Sequence, residues 1–251
     1  MPTTYEACVS SIAQARAAQN AGADRLELCA RLGVGGLTPP MTRLAAVRAA
    51  VSIPVHVMIR PRPGDFTGTF AKLEVMERAI GEAREAGADG VVFGVLLPEQ
   101  RVDLVAMRRL VRAAVGLSVT MHRAFDLVPA PMRALEQLID LGIDRVLTSG
   151  GAPTARLGAT KLRGLVQAAQ GRIGIIAAGK VRPANVRALI AATGVREVHA
   201  HLTSAHAMRV MVGMVEGEAR REKGEGVGGG SQGPDLSGPL YRGPATLIPR
   251  G

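Results

Sequence analysis

The segment Ala21-Gly22-Ala23-Asp24-Arg25-Leu26-Glu27-Leu28 returns as Ala86-Gly87-Ala88-Asp89-Gly90-Val91-Val92-Phe93 and as Leu141-Gly142-Ile143-Asp144-Arg145-Val146-Leu147-Thr148. A looser copy is Thr193-Gly194-Val195-Arg196-Glu197-Val198-His199. Each copy reads as a glycine that ends a helix, a tight turn, and a short buried strand. Repetition of this kind marks a chain built from βα units. Working outward from the copies gives eight strands, near Tyr5–Val9, Arg25–Cys29, Val55–Arg60, Gly90–Val95, Ser118–His122, Arg145–Thr148, Ile173–Ala177 and Glu197–Ala200. Their starts lie about 20 to 35 residues apart, room for a strand, a helix and two loops.

The segments between them carry helical stripes. Thr38-Pro39 reads as an N-cap followed by proline at the first helical position, with Leu44, Val47 and Val51 on one face. Leu73, Met76 and Ile80 mark the next helix, and Met132, Leu135 and Leu138 a later one. Met208, Met211, Val212 and Val215 define one more amphipathic helix. Such alternation fits an open doubly wound sheet or a closed barrel. No Gly-x-Gly-x-x-Gly follows the first strand, and this favours the barrel. The expected fold is therefore an α/β protein, a single (β/α)8 TIM-type barrel over residues 1–223. From Gly224 the sequence turns to Gly-Glu-Gly-Val-Gly-Gly-Gly-Ser-Gln-Gly-Pro, which offers too little apolar surface to offset its ordering entropy. Residues 224–251 are expected to be disordered.

Composition narrows the function classes. With 251 residues, 47% hydrophobic and 21% charged, the chain is of ordinary globular make-up. It holds no apolar run of membrane-spanning length and no basic, apolar leader at Met1-Pro2-Thr3-Thr4. Two cysteines make no disulfide framework and read as the thiols of a cytoplasmic protein. A net charge of +10 invites a nucleic-acid partner, yet only 2% of residues are aromatic and the arginines are spread along every helix. A solvated basic surface, with neither nucleic acid nor membrane as partner, is the expectation.

Strand side chains alternate with period two. If Leu26 and Leu28 face the helices, Glu27 and Cys29 face the barrel axis, and the first strand repeats the pattern as Glu6-Ala7-Cys8. Two neighbouring strands thus each offer Glu-x-Cys towards the end where (β/α)8 barrels keep their sites. The same rule adds His56, with Arg60 and Arg62 beyond it, then Thr120 and His122, with Arg123 and Asp126 following, then Glu197 and His199. His201 and His206 fall past the last strand and read as surface residues. Ionisable groups converging in a barrel centre are costly unless they pair or bind something. The turns at Thr148-Ser149-Gly150-Gly151 and Ala177-Ala178-Gly179-Lys180 offer backbone N–H groups, with Ser149, Gly150 and Gly179 the candidates for holding an anion. In an enzyme acting on a small anionic, possibly phosphorylated, metabolite, Arg60 or Arg62 would clamp the anion and a Glu–His pair would move protons. The plainer readings are inert buried cysteines and a self-satisfied polar network.

In the motifs Glu27-Leu28-Cys29, Gly35-Gly36-Leu37-Thr38-Pro39, Ile59-Arg60-Pro61-Arg62 with Gly64-Asp65-Phe66, His122-Arg123-Ala124-Phe125-Asp126, Leu147-Thr148-Ser149-Gly150 and Glu197-Val198-His199, the chain resembles the CutC family over about residues 4–210. The resemblance implies a cytoplasmic (β/α)8 barrel concerned with copper homeostasis. It puts the family's proposed Cu(I) ligands on Cys8 and Cys29, and a homodimer is among the expected assemblies. Two thiolates on adjacent strands suit a soft, low-coordinate ion. Two departures stand out: Thr67-Gly68-Thr69-Phe70 replaces the family's usual Tyr-Ser pair, and no barrel-sealing helix follows Gly224.

Overall fold

A computed structural model describes residues 3–222. Eight parallel strands close into a barrel in chain order. They are β1 (Thr4–Val9), β2 (Arg25–Leu28), β3 (Val55–Met58), β4 (Gly90–Phe93), β5 (Ser118–Met121), β6 (Arg145–Thr148), β7 (Gly174–Ala177) and β8 (Glu197–Ala200). Eight helices alternate with them: α1 (Ile12–Asn20), α2 (Met41–Arg48), α3 (Phe70–Glu85), α4 (Leu104–Ala113), α5 (Pro131–Asp140), α6 (Ala159–Ala169), α7 (Pro183–Thr193) and α8 (Ala205–Glu222). The disorder expected over 224–251 lies outside the described residues. Among these residues, no helix is long and apolar enough to cross a membrane.

The repeated Gly-x-Asp explains how the barrel floor is sealed. Gly22, Gly87 and Gly142 take φ of +93°, +86° and +75°, which turns the chain off the helix. Two residues later the aspartate reaches sideways to an amide at the start of the preceding strand. Asp24 accepts from Tyr5 N at 2.7 Å, Asp89 from Val55 N at 2.8 Å, and Asp144 from Val119 N at 2.7 Å. The loose fourth copy has Arg196 in that place, and its carbonyl accepts from Thr4 N of β1 at 2.8 Å, as the Asp89 and Asp144 carbonyls accept from Ser118 N and Gly174 N.

Outward strand residues, Leu26, Leu28, Val57, Val91, Phe93, Val119, Met121 and Val146 among them, are buried against the helices. At about 25 cal/mol per Å² of apolar surface removed from water, this shell is the main favourable contribution to folding. Leu44, Val47 and Val51 pack as expected, but the stripe on α5 is Ala134, Leu135 and Leu138, with Met132 largely exposed. The expected cap at Thr38 is not one: α2 starts at Met41, and the Thr38 hydroxyl accepts from Arg60 N at 2.8 Å, tying the β2–α2 loop to the end of β3. The last barrel position is closed before Gly224. Met208, Met211 and Val215 of α8 are buried, and α8 packs on α1, α7 and β1.

Candidate functional site

Inward positions stack in storeys along the barrel axis. On the floor Arg25 Nε meets Glu6 Oε2 at 2.5 Å and its NH2 meets Glu197 Oε2 at 2.6 Å. Arg145 Nε lies 3.3 Å from the same Glu197 oxygen. One step up, His199 Nδ1 contacts Glu6 Oε1 at 2.7 Å, while His56 Nδ1 and Thr120 Oγ1 are buried without hydrogen-bond partners. Burial holds His56 neutral, its pKa pushed down to about 4. β4 contributes room here. A Cβ on Gly90 would stand 2.7 Å from the His56 ring, and one on Gly94 2.9 Å from the His122 ring.

At the C-terminal mouth, a cavity of about 330 Å³ is lined by Cys8, Glu27, Cys29, Arg60, His122, Arg123, His199 and His201. Leu32, Met58, Phe66 and Leu147 supply its apolar walls. A larger surface groove near Leu97, Val105 and Gln137 lies away from these groups. The mouth has two unlike walls.

The first is built by β1, β2 and β8. Strand register sets Cys8 opposite Glu27 and Glu6 opposite His199. The Cys29 thiol donates to Glu27 Oε2 at 3.2 Å, and His199 Nε2 is 3.8 Å from that oxygen. One ligand atom each from Cys8, Glu27 and His199 lies within 4.8 Å of the others. Interaction with the neighbouring Cys29 thiol holds the Cys8 thiol well below its usual range, with His199 and His201 assisting against the opposing effect of burial. The same interaction, together with burial, drives Cys29 up. Burial alone would strip the proton from His199; Glu27, Cys8 and Glu6 reverse this and raise it well above an ordinary imidazole. Burial pushes Glu27 up to about 8, against the pull of His199 and with that of Cys8 and Glu6. Its Oε1 has no hydrogen-bond partner. This wall thus gathers a thiol biased towards its thiolate, an imidazole biased towards its protonated form and a carboxyl whose charge burial opposes.

The second wall comes from β3 and the β5–α5 loop. Arg60 points in and is nearly buried, and His122 beside it is held neutral by burial, its pKa pushed down to about 3. The Phe66 ring lies 4.8 Å from the Arg60 guanidinium carbon and 4.8 Å, edge-on, from His122.

The remaining sequence candidates fall elsewhere. Arg62 is an exposed loop residue paired with Asp65 at 3.0 Å, so it is no part of the cavity. Asp126 sits behind the wall as a hub. It pairs with Arg123 Nε at 2.8 Å and accepts from Thr148 Oγ1 at 2.5 Å, Ser149 N at 2.9 Å and Gly151 N at 3.0 Å. The amides of the β6 turn expected to receive an anion are therefore taken by the chain's own carboxylate, and Gly150 N donates to Thr148 Oγ1 at 2.9 Å. Gly179, at φ +98°, packs beside Ser149 and accepts from Ala155 N through its carbonyl. His201 corrects the surface reading: it lines the cavity, its Nδ1 3.1 Å from Cys8 O. Its signal was the alternation Glu197, His199, His201 continuing one step past the strand. His206 is exposed on α8.

Fold and site together define a (β/α)8-barrel protein with an acid–thiol–imidazole cavity at its C-terminal mouth. The CutC family model matches residues 3–204, and the chain belongs to the CutC family. A CutC family protein of Histophilus somni is 48% identical over 194 residues, 77% of this chain and 80% of that one. Another, of Xanthomonas campestris pv. campestris, is 49% identical over 195 residues, 78% and 81% of the two chains. The crystal structure of CutC from Streptococcus agalactiae superposes with a TM-score of 0.76 at 31% identity, covering 78% of this chain and 97% of that one. A thiamine phosphate pyrophosphorylase from Pyrococcus furiosus, TM-score 0.57 and 17% identical, shares the fold alone.

Proposed function

We propose that the protein serves copper homeostasis in the cytoplasm by holding Cu(I) at the β1–β2–β8 wall, with Cys8 and Cys29 as the sulfur donors and His199 beside them. The Streptococcus agalactiae relative carries copper homeostasis in its name. The observation that carries the reading is the pairing of two thiols from adjacent strands in one cavity, with Cys8 held as thiolate. Thiolate is the ligating form of cysteine, and Cu(I) prefers sulfur and imidazole in few-coordinate sites. His201 and the neutral Glu27 border the donors, the partners that orient a metal's ligands and tune its binding. Copper is cargo here, so the site has to take it up and release it. Cys29 and His199 give up protons to ligate, and uptake strengthens as pH rises.

The test is an anaerobic titration of the reduced protein with Cu(I) against a chromophoric chelator, alongside metal analysis of protein purified under reducing conditions. One Cu(I) per chain is expected, with an affinity about a hundredfold lower in Cys8→Ser. Failure to hold Cu(I) against the chelator, or uptake by Cys8→Ser and Cys29→Ser equal to that of wild type, overturns the proposal.

A further inference from the structure

The opposite wall of the cavity carries one charge, that of Arg60, that no carboxylate among the described residues pairs with. Every hydrogen bond of the Arg60 guanidinium goes to a backbone carbonyl: NH1 to Val34 O at 2.9 Å and Gly36 O at 3.1 Å, NH2 to Gly64 O at 3.0 Å. Among the described residues it has no carboxylate within ion-pair distance, although the residue is only 7% exposed, and its Nε is buried without a hydrogen-bond partner. The contrast with Arg25, held by two carboxylates on the floor, is direct. A buried cation lacking a counter-ion is expensive, and a bound anion removes that cost.

Its neighbours point the same way. Ala124 N donates to His122 Nδ1 at 3.3 Å. An amide only donates, so Nδ1 presents its lone pair and the ring proton sits on Nε2. His122 thus offers an N–H to the cavity without adding a charge that would need balancing. Arg123 lines the same cavity, its Nε fixed by Asp126 and its NH2 by Ser149 Oγ at 2.9 Å. Lys72 nearby donates only to a carbonyl, Thr67 O at 2.6 Å, and its charge acts on His122 together with that of Arg60. Phe66 touches both Arg60 and His122 and gives this wall an apolar floor for a ligand's carbon skeleton.

We propose that Arg60, His122 and Arg123 form a recognition site for the oxyanion of a small metabolite, a carboxylate or phosphate ester that fits a cavity of about 330 Å³. Planar guanidinium and imidazole N–H donors suit such oxygens, and the volume lies at the low end for small-molecule pockets. Neither Arg60 nor His122 belongs to the Cys8–Glu27–His199 group, so the site stands without the metal reading.

The test is calorimetric titration of metal-free protein with inorganic phosphate and, separately, malonate, at constant ionic strength with chloride as the reference. The Arg60 Nε–H resonance of ¹⁵N-labelled protein is followed in parallel. Saturable binding in the millimolar range or tighter is expected for at least one anion. The Arg60 resonance should shift, and Arg60→Gln and His122→Gln should each weaken binding about tenfold. Phosphate and malonate serve as separate arms for the two oxyanion chemistries. If neither anion outcompetes chloride, or both variants bind as tightly as wild type, the site does not exist. Should Arg60→Gln fail to fold, because its side chain ties three loop carbonyls, His122→Gln and the wild-type resonance decide. Cu(I) uptake is titrated separately on the same preparation, so either proposal can fail alone.

Discussion

On the floor of the barrel each inward charge sits in an ion pair, although Arg145 Nε makes its contact without a hydrogen bond; at the mouth, two storeys higher, a whole charge is left over. Glu6, Arg25, Glu197 and Arg145 close a chain of contacts of 2.5 to 3.3 Å. At the mouth, Glu27 Oε1 and Arg60 Nε are buried without partners. The same residue types therefore do different things within one barrel. Satisfied charges fix which strands meet, whereas unsatisfied ones hold a site ready at a cost in stability.

The sharpest way to break the comparison is at the floor. Arg25→Met takes the shared cation from Glu6 and Glu197, leaving Glu6 with His199 and Glu197 with Arg145, and urea unfolding should show a loss of about 3 kcal/mol, the low end of the usual cost of removing one partner of a buried pair. A loss below about 1 kcal/mol would mean that the floor is no more integral than a surface network.

The next effect is a pH dependence. His56 titrates near 4 in the folded chain against 6.5 when unfolded. Between these values the unfolded chain takes up a proton that the folded chain refuses, so stability is full above pH 6.5 and falls as pH drops through 4. Wild type should lose about 3 kcal/mol more than His56→Asn over that window in urea unfolding.

At the mouth a substitution should do the opposite of harm. Glu27 is held uncharged up to about 8 although its ordinary value is 4.5. Its folded pKa is raised, so its favourable contribution is complete below 4.5 and lost as pH rises through 8. Glu27→Gln removes that loss and should stabilise the protein by about 3 kcal/mol at pH 7, the gain vanishing below pH 4.5. Thermal melts at the two pH values check it. The smallest effect belongs to an exposed pair: Glu136→Gln, which breaks contacts of 2.7 and 2.8 Å to Arg172, should leave the melting temperature unchanged.

Much of this was legible in the chain because it rests on short-range periodicity. The Gly-x-Asp copies marked the strand starts, and period two turned Glu6, Cys8, Glu27, Cys29, His56, His122 and His199 inward. What escaped depended on loops, whose direction no period encodes. Arg60 and Arg62 are two residues apart, yet one enters the cavity and the other meets solvent. Asp126 turned back to fill the β6 turn, a contact across 23 residues to Ser149. Thr38 found a partner on β3 in place of a helix terminus. His201 lay within reach of the alternation, which runs on past the last hydrogen-bonded residue of β8.

Strand four shapes the mouth by what it lacks. Gly90 and Gly94 leave hollows into which the rings of His56 and His122 lean, so the tilt of both imidazoles is moulded by missing carbon atoms. A single methyl group at position 94 would meet the His122 ring at 2.9 Å and force it to shift, altering the chamber from behind. The preferences of such a pocket can drift through a backbone position that inspection of its lining residues would pass over.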